Sequence, residues 1–237
     1  NRRAFICGPT GNLLGMYDIQ GKDSGYEAVN AFSFVASADE WFSPIVAEVG
    51  PDGNLWMADW YNFIIQHNPT PNKGRAGYDA KNGRGNAHIN PNRDRQHGRI
   101  YRIVYQNHNS KAPKLGNTPQ LVKALSHDNL FWRQTAQRLL VDNKRTDAID
   151  ALKTLTTKSG HGAIHALWTL KGLNALDQKT HAAALINPSA ELRRNALRAL
   201  DTGKPDSTML YDSANLADKD LQVQLVAISK LASLPES

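Results

Sequence analysis

Two carboxylates stand where their spacing could support chemistry. Asp52-Gly53 lies between the apolar runs Ile45-Val46-Ala47 and Leu55-Trp56-Met57-Ala58, and Asp-Gly supplies the positive-φ backbone that a two-residue hairpin turn needs. With the turn at those residues, Val49 pairs with Trp56, Ala47 with Ala58 and Ile45 with Trp60. Glu48 and Asp59 then share the opposite face with Val46, Leu55 and Met57, diagonally across the ladder at roughly 7 Å. A carboxylate on so apolar a face needs a cation, a ligand or a proton, because burying an isolated charge costs several kcal/mol. Salt bridges to Arg93, Arg95 or Arg99 are the expected solution, and a calcium ion or a substrate contact is the alternative.

The other reactive residue types yield less. Cys7 is the one cysteine, so neither an internal disulfide nor a Cys-x-x-Cys site can form, and its place in an apolar run makes it a packing residue. His161 and His165 have the i, i+4 spacing that can present two imidazoles to one metal. No glutamate lies between them as in His-Glu-x-x-His, so no metal is expected, and His161 reads as a helix-start residue. Residues 73–102 carry eight lysines and arginines against Asp79 and Asp94, which accounts for the whole net charge of +6. With few aromatics interleaved, that run reads as a solvated loop whose arginines serve carboxylates of the same domain, and nucleic acid is not an expected partner. Arg193 and Arg194, beside Glu191, read as an exposed helix face.

These residues need elements to hold them, and the composition divides the chain near Thr118. Thirteen of the 17 glycines and seven of the 11 prolines precede it, marking short strands and tight turns, whereas the Leu- and Ala-rich remainder favours helices. Residues 106–117, polar and aperiodic, form the expected linker. Beyond it, Ala136, Ala166, Ala196 and Ala227 open similar blocks that end in Leu140, Leu170, Leu200 and Leu231, at spacings of 30, 30 and 31 residues. One helix pair per repeat implies an α-solenoid of four HEAT-like repeats over 118–237, with starts signalled at Thr118-Pro119, Asn129, Pro188-Ser189 and Asp218. Such arrays are binding scaffolds, so a protein partner and no catalysis are expected there. No stretch reaches the roughly 20 apolar residues that span a bilayer.

The run Ala47-Glu48-Val49-Gly50-Pro51-Asp52-Gly53-Asn54-Leu55-Trp56-Met57-Ala58-Asp59-Trp60-Tyr61-Asn62, with His67 just beyond it and Arg93-Asp94-Arg95-Gln96-His97-Gly98-Arg99 further on, resembles a known family. It is similar to the large secreted proteins of planctomycete- and verrucomicrobium-type bacteria classed as membrane-bound dehydrogenases. In that family a β-propeller similar to the quinoprotein sugar dehydrogenases is followed by HEAT repeats and commonly by a c-type cytochrome module. Phe131-Trp132-Arg133-Gln134-Thr135-Ala136 resembles the family's first repeat.

The resemblance implies an α+β multidomain chain, with about two C-terminal blades of a β-propeller over 1–105, the linker, and the HEAT-like α-solenoid over 118–237. It implies a fragment, itself non-catalytic, of a periplasmic or secreted sugar or alcohol dehydrogenase whose parent uses pyrroloquinoline quinone, calcium and haem c. Asp59, Asn62, His67, Arg95 and His97 would lie near the propeller mouth and, with Glu48, are the ligand-binding candidates. The chain has no Cys-x-x-Cys-His for a covalent haem, and no cofactor is expected in it. The alternative is a scaffold without enzymatic activity that binds carbohydrate on the strand-rich half and protein on the helical half.

Overall fold

A computed structural model describes residues 2–63, 72–75, 79–81, 89, 94, 96–107, 110–201, 208–211 and 213–233. The chain divides into two compact units, one of residues 1–20, 27–50 and 54–108, the other of 21–26, 51–53 and 109–237. Among the described residues no helix is long and apolar enough to cross a membrane.

The strand-rich unit is built on two three-stranded antiparallel sheets. The first orders β1 (Arg2–Gly8), β2 (Leu13–Lys22) and β3 (Gly25–Ala36), and the second β4 (Pro44–Val49), β5 (Leu55–Asp59) and β6 (Arg99–Ile103). Tight turns join the first three strands, with Asn12 at φ 53° and Asp23 at φ 51°. Both are residue types whose short polar side chains tolerate the left-handed region. Leu14, Phe42, Leu55 and Met57 are buried together, and Phe5, Cys7, Phe34, Val35, Ala47, Tyr101 and Ile103 pack around them.

This architecture corrects the propeller expectation. A blade needs four strands, and among the described residues each sheet has three, with β6 joining only at Arg99. The hairpin register also differs. Val49 pairs with Leu55, Glu48 with Trp56 and Ala47 with Met57, because the loop runs from Gly50 to Asn54, closed by Gly50 N donating to Asn54 O at 2.9 Å. Gly53, at φ 75°, takes the left-handed position inside that longer loop. A one-residue slip exchanges the faces of a strand. Leu55, Met57 and Asp59 therefore point inward together, and Glu48 lies on the other, exposed face.

The helical unit contains α1 (Thr118–Ala124), α2 (Leu130–Asp142), α3 (Ile149–Thr156), α4 (His161–Gly172), α5 (Gln178–Leu185), α6 (Ala190–Ala199) and α7 (Leu221–Leu231), with helical residues 208–211 before the last. Side-chain caps from Asn117, Asn129, Asp177, Ser189 and Asp220 start five of them, each accepting an otherwise orphaned N–H. The expectation of an α-solenoid of four HEAT-like repeats is corrected as well. The buried side chains form two clusters instead of a layer per repeat. Helix α4 serves both, with Ala166 and Leu170 in one and Ala163 and Leu167 in the other. The repeat still marks burial: Leu140, Leu170 and Leu200 are at most 2% exposed, while Leu231 is only partly buried.

Arg133 and Arg193, 60 residues apart, occupy equivalent places. Arg133 Nη1 donates to the carbonyls of His127 and Asp128 at 2.6 and 2.7 Å, and Arg193 Nη1 to those of Asn187 and Pro188 at 2.8 and 3.0 Å. Each ties down the loop before its own helix. Arg193 is thus buried, not part of an exposed face, and its remaining nitrogens grip Asp218 at 2.6 and 2.8 Å. Asp218, expected to cap the last helix, is committed to that pair, and Asp220 caps α7 instead.

Arg133 pairs directly with no carboxylate among the described residues and donates Nε to His165 Nε2 at 3.3 Å, while His165 Nδ1 meets Gln137 Oε1 at 2.7 Å. That pattern requires a neutral imidazole carrying its proton on Nδ1. Burial, then the charges of Arg133 and His161, lower the His165 pKa to about 4. The unfolded chain takes up this proton near pH 6.5 and the folded chain does not, so the stabilisation is complete above pH 6.5 and fades as pH falls towards 4. Allowing for partial exposure, about 2 kcal/mol should be lost across that window. Urea midpoints at pH 7 and pH 4.5 check this, and His165→Gln should flatten the difference.

Candidate functional site

Three segments of the strand-rich unit converge at the end of β5. Asp59 closes that strand opposite Pro44 and Arg99. The loop before β4 brings Ser43, whose N donates to Asp59 Oδ1 at 2.7 Å and whose Oγ donates to Asn62 O at 2.8 Å. The loop after β5 turns sharply at Tyr61, φ 53°, and Tyr61 N donates to the same Oδ1 at 2.8 Å. One oxygen of Asp59 thus clamps two backbones.

The other oxygen, Oδ2, is buried and has no hydrogen-bond partner among the described residues. Asp59 as a whole is 2% exposed. A carboxylate oxygen left in that state costs free energy unless something meets it.

Asn62, also 2% exposed, reaches the third segment, its Nδ2 donating to Asp94 O at 3.1 Å. Asp94 Oδ1 accepts from the N–H groups of Gln96 and His97 at 2.7 and 3.2 Å, and Oδ2 lies 2.5 Å from His97 Nδ1. The Gln96 bond first, and then His97, hold the Asp94 carboxyl below its ordinary range. The carboxylate orients the imidazole, leaving Nε2 as the ring's second nitrogen for chemistry.

Aromatic rings border this polar group. Trp41 lies 5.7 Å from Tyr61 and 6.0 Å from Phe63 between ring centroids, the edge of His97 meets Tyr61 at 6.4 Å, and the Arg99 guanidinium sits 3.8 Å over the Tyr61 ring. Arg99 also donates to Tyr101 Oη at 3.2 Å and pairs with Asp39 at 3.5 Å.

Asp59, Asn62 and His97 are therefore brought into one neighbourhood. Glu48 is not, for the register puts it beside Trp56, over whose ring Arg102 lies at 5.7 Å. His67 and Arg95, like Arg93, lie outside the described residues. Arg99 makes an ion pair as expected of the basic run, but with Asp39 and not with Glu48, Asp59 or Asp94; Lys73 likewise pairs with Asp79 at 3.4 Å. Sequence reasoning passed over Ser43, Trp41 and Tyr61. The Asp59-Trp60-Tyr61-Asn62 run at the end of a strand was the available signal, since binding residues are disproportionately found on loops held by a rigid scaffold.

Among the described residues no group of three or more His, Cys, Asp or Glu side chains is placed to hold a metal ion. Residues 1–107, which contain every residue of this site, match a family described as a domain of unknown function (DUF7133). No curated protein and no solved structure matches the chain.

Proposed function

We propose that the strand-rich unit is a carbohydrate-binding scaffold and that a sugar seats on the loops around Asp59. The observation that carries this reading is the buried Asp59 Oδ2 without a partner among the described residues, next in sequence to a cluster of partly exposed rings. Sugars offer hydroxyl donors for carboxylate and amide groups and C–H faces for aromatic rings, and concave sites that orient ligands combine a few placed polar groups with such apolar walls. Asp59 Oδ2, uncovered as the Tyr61 loop shifts on binding, would accept a hydroxyl, Tyr61 and Trp41 would carry a ring face, and the Asp94–His97 pair would read a second hydroxyl. The periplasmic or secreted setting implied by the family resemblance belongs with this proposal.

The test is retention by polysaccharide. The chain should be slowed in native gels containing a soluble β-glucan, xylan or galactomannan, and Tyr61→Ala should migrate as in the blank gel. Equal migration of both proteins in every gel would remove the reading.

A second reading, catalysis as in the sugar or alcohol dehydrogenases, is favoured by the Asp94–His97 geometry alone, since a carboxylate-held imidazole is a competent general base. Dye reduction in the presence of a sugar, pyrroloquinoline quinone and calcium, lost in His97→Gln, would support it. No reduction by the intact chain would count against it.

A further inference from the structure

The helical unit carries a cleft unrelated to the Asp59 site. It encloses about 490 Å³ between the segment leading into α1 and the exposed side and end of that helix, and is lined by Pro113, Lys114, Gln120, Lys123, Ala124, Ser126 and His127. That volume lies in the range of small-ligand sites, roughly 300–1,000 Å³.

The lining has one chemical sense. Neither Lys114 nor Lys123 has a carboxylate partner among the described residues. Gln120 spends its Oε1 accepting from Gly116 N at 2.9 Å, which leaves the amide Nε2 as a donor, and Ser126 adds a hydroxyl. His127 is committed on both nitrogens, Nδ1 accepting from Asn129 N at 3.0 Å and Nε2 facing Lys111 O at 3.4 Å, so it contributes a ring wall. The last carbonyls of α1, those of Lys123 and Ala124, are taken by Ser126 N and His127 N. The cleft therefore offers cations and donors, no acidic side chain, and an apolar floor of Pro113 and buried Ala124.

We infer that this cleft binds a carboxylate borne on a short apolar body, the carboxylate meeting Lys114 and Lys123 and the body lying on Pro113 and Ala124. A compact polyanion fits less well, because the cleft closes on the C-terminal end of α1, where the helix dipole is negative. A free organic acid and the C-terminus of a peptide share this chemistry.

The test is calorimetric titration of the full chain at low salt with hexanoate, N-acetyl-leucine, hexanol and inorganic phosphate. Hexanoate or N-acetyl-leucine should bind at least roughly tenfold more tightly than hexanol or phosphate, as expected for a charge-assisted contact combined with apolar burial. The tighter of the two acids identifies a free acid or a chain end as the source. The exposed pair Lys114→Gln/Lys123→Gln should keep the parent melting temperature and lose the preference. Binding of hexanol as tight as hexanoate, phosphate as tight as either acid, no binding of either acid, or an unchanged preference in the double variant would each overturn the assignment.

Discussion

Arg193→Met should cost about 3–5 kcal/mol of stability, the largest loss expected from any polar residue of the helical unit. The change leaves a carboxylate whose side chain is 8% exposed without its cation, and it frees the carbonyls of Asn187 and Pro188 that Nη1 had satisfied. Removing one member of a buried pair is costly because the other charge remains desolvated. The hydrogen bond from Arg193 is the first cause of the lowered Asp218 pKa, so the pair's contribution is complete above the ordinary carboxylate range and is lost as pH falls through the depressed value. In Arg193→Met that acid-side loss should disappear, because the buried, unpaired carboxyl is no longer held below its unfolded value. Arg133→Met should cost less, since its guanidinium faces an imidazole and two carbonyls but no carboxylate. Urea unfolding of the two variants decides it, and equal losses would contradict the difference assigned to Asp218.

Asp59 should separate structure from function by which oxygen is changed. Asp59→Ala deprives Ser43 N and Tyr61 N of their acceptor and should destabilise the strand-rich unit by about 2–4 kcal/mol, the scale of two bonds to a charged group offset by removal of a buried orphan oxygen. Asp59→Asn keeps an acceptor at the Oδ1 position and should fold within about 1 kcal/mol of the parent. The same Asn variant should fail to retain polysaccharide. If it unfolds as readily as the Ala variant, Oδ2 is engaged within the fold and is not held for a ligand.

The sequence reading and the structure part company at identifiable residues. Asp52-Gly53 correctly marked a reversal, but the turn chemistry alone could not distinguish a two-residue turn from the loop closed by Gly50 and Asn54. That single-residue difference moved Glu48 away from Asp59. Inward placement of Leu55, Met57 and Asp59 was legible, because period-two alternation survives a slip along the partner strand. The repeat of about 30 residues located Leu140, Leu170 and Leu200 in the core, since helix burial follows the local pattern. It did not fix how the helices stack, because the lengths of the short helices depend on caps such as Asn117 and Asp177. Arg193 looked like an exposed charge because its partner, Asp218, lies 25 residues away, beyond any local pattern. Asn62 and His97 were named through family resemblance, and no spacing rule connects them, since Asn62 reaches Asp94 across 32 residues.

The central claim, that the loops around Asp59 bind sugar, is tested most directly by following the indole N–H signals of the five tryptophans during titration with neutral oligosaccharides. The Trp41 signal should move and saturate with at least one sugar, with a dissociation constant of about 1 mM or tighter, while those of Trp132 and Trp168 stay in place. Tyr61→Ala should abolish the shift and leave the spectrum otherwise folded. No movement of Trp41 with any sugar, or an equal shift in Tyr61→Ala, would contradict the account.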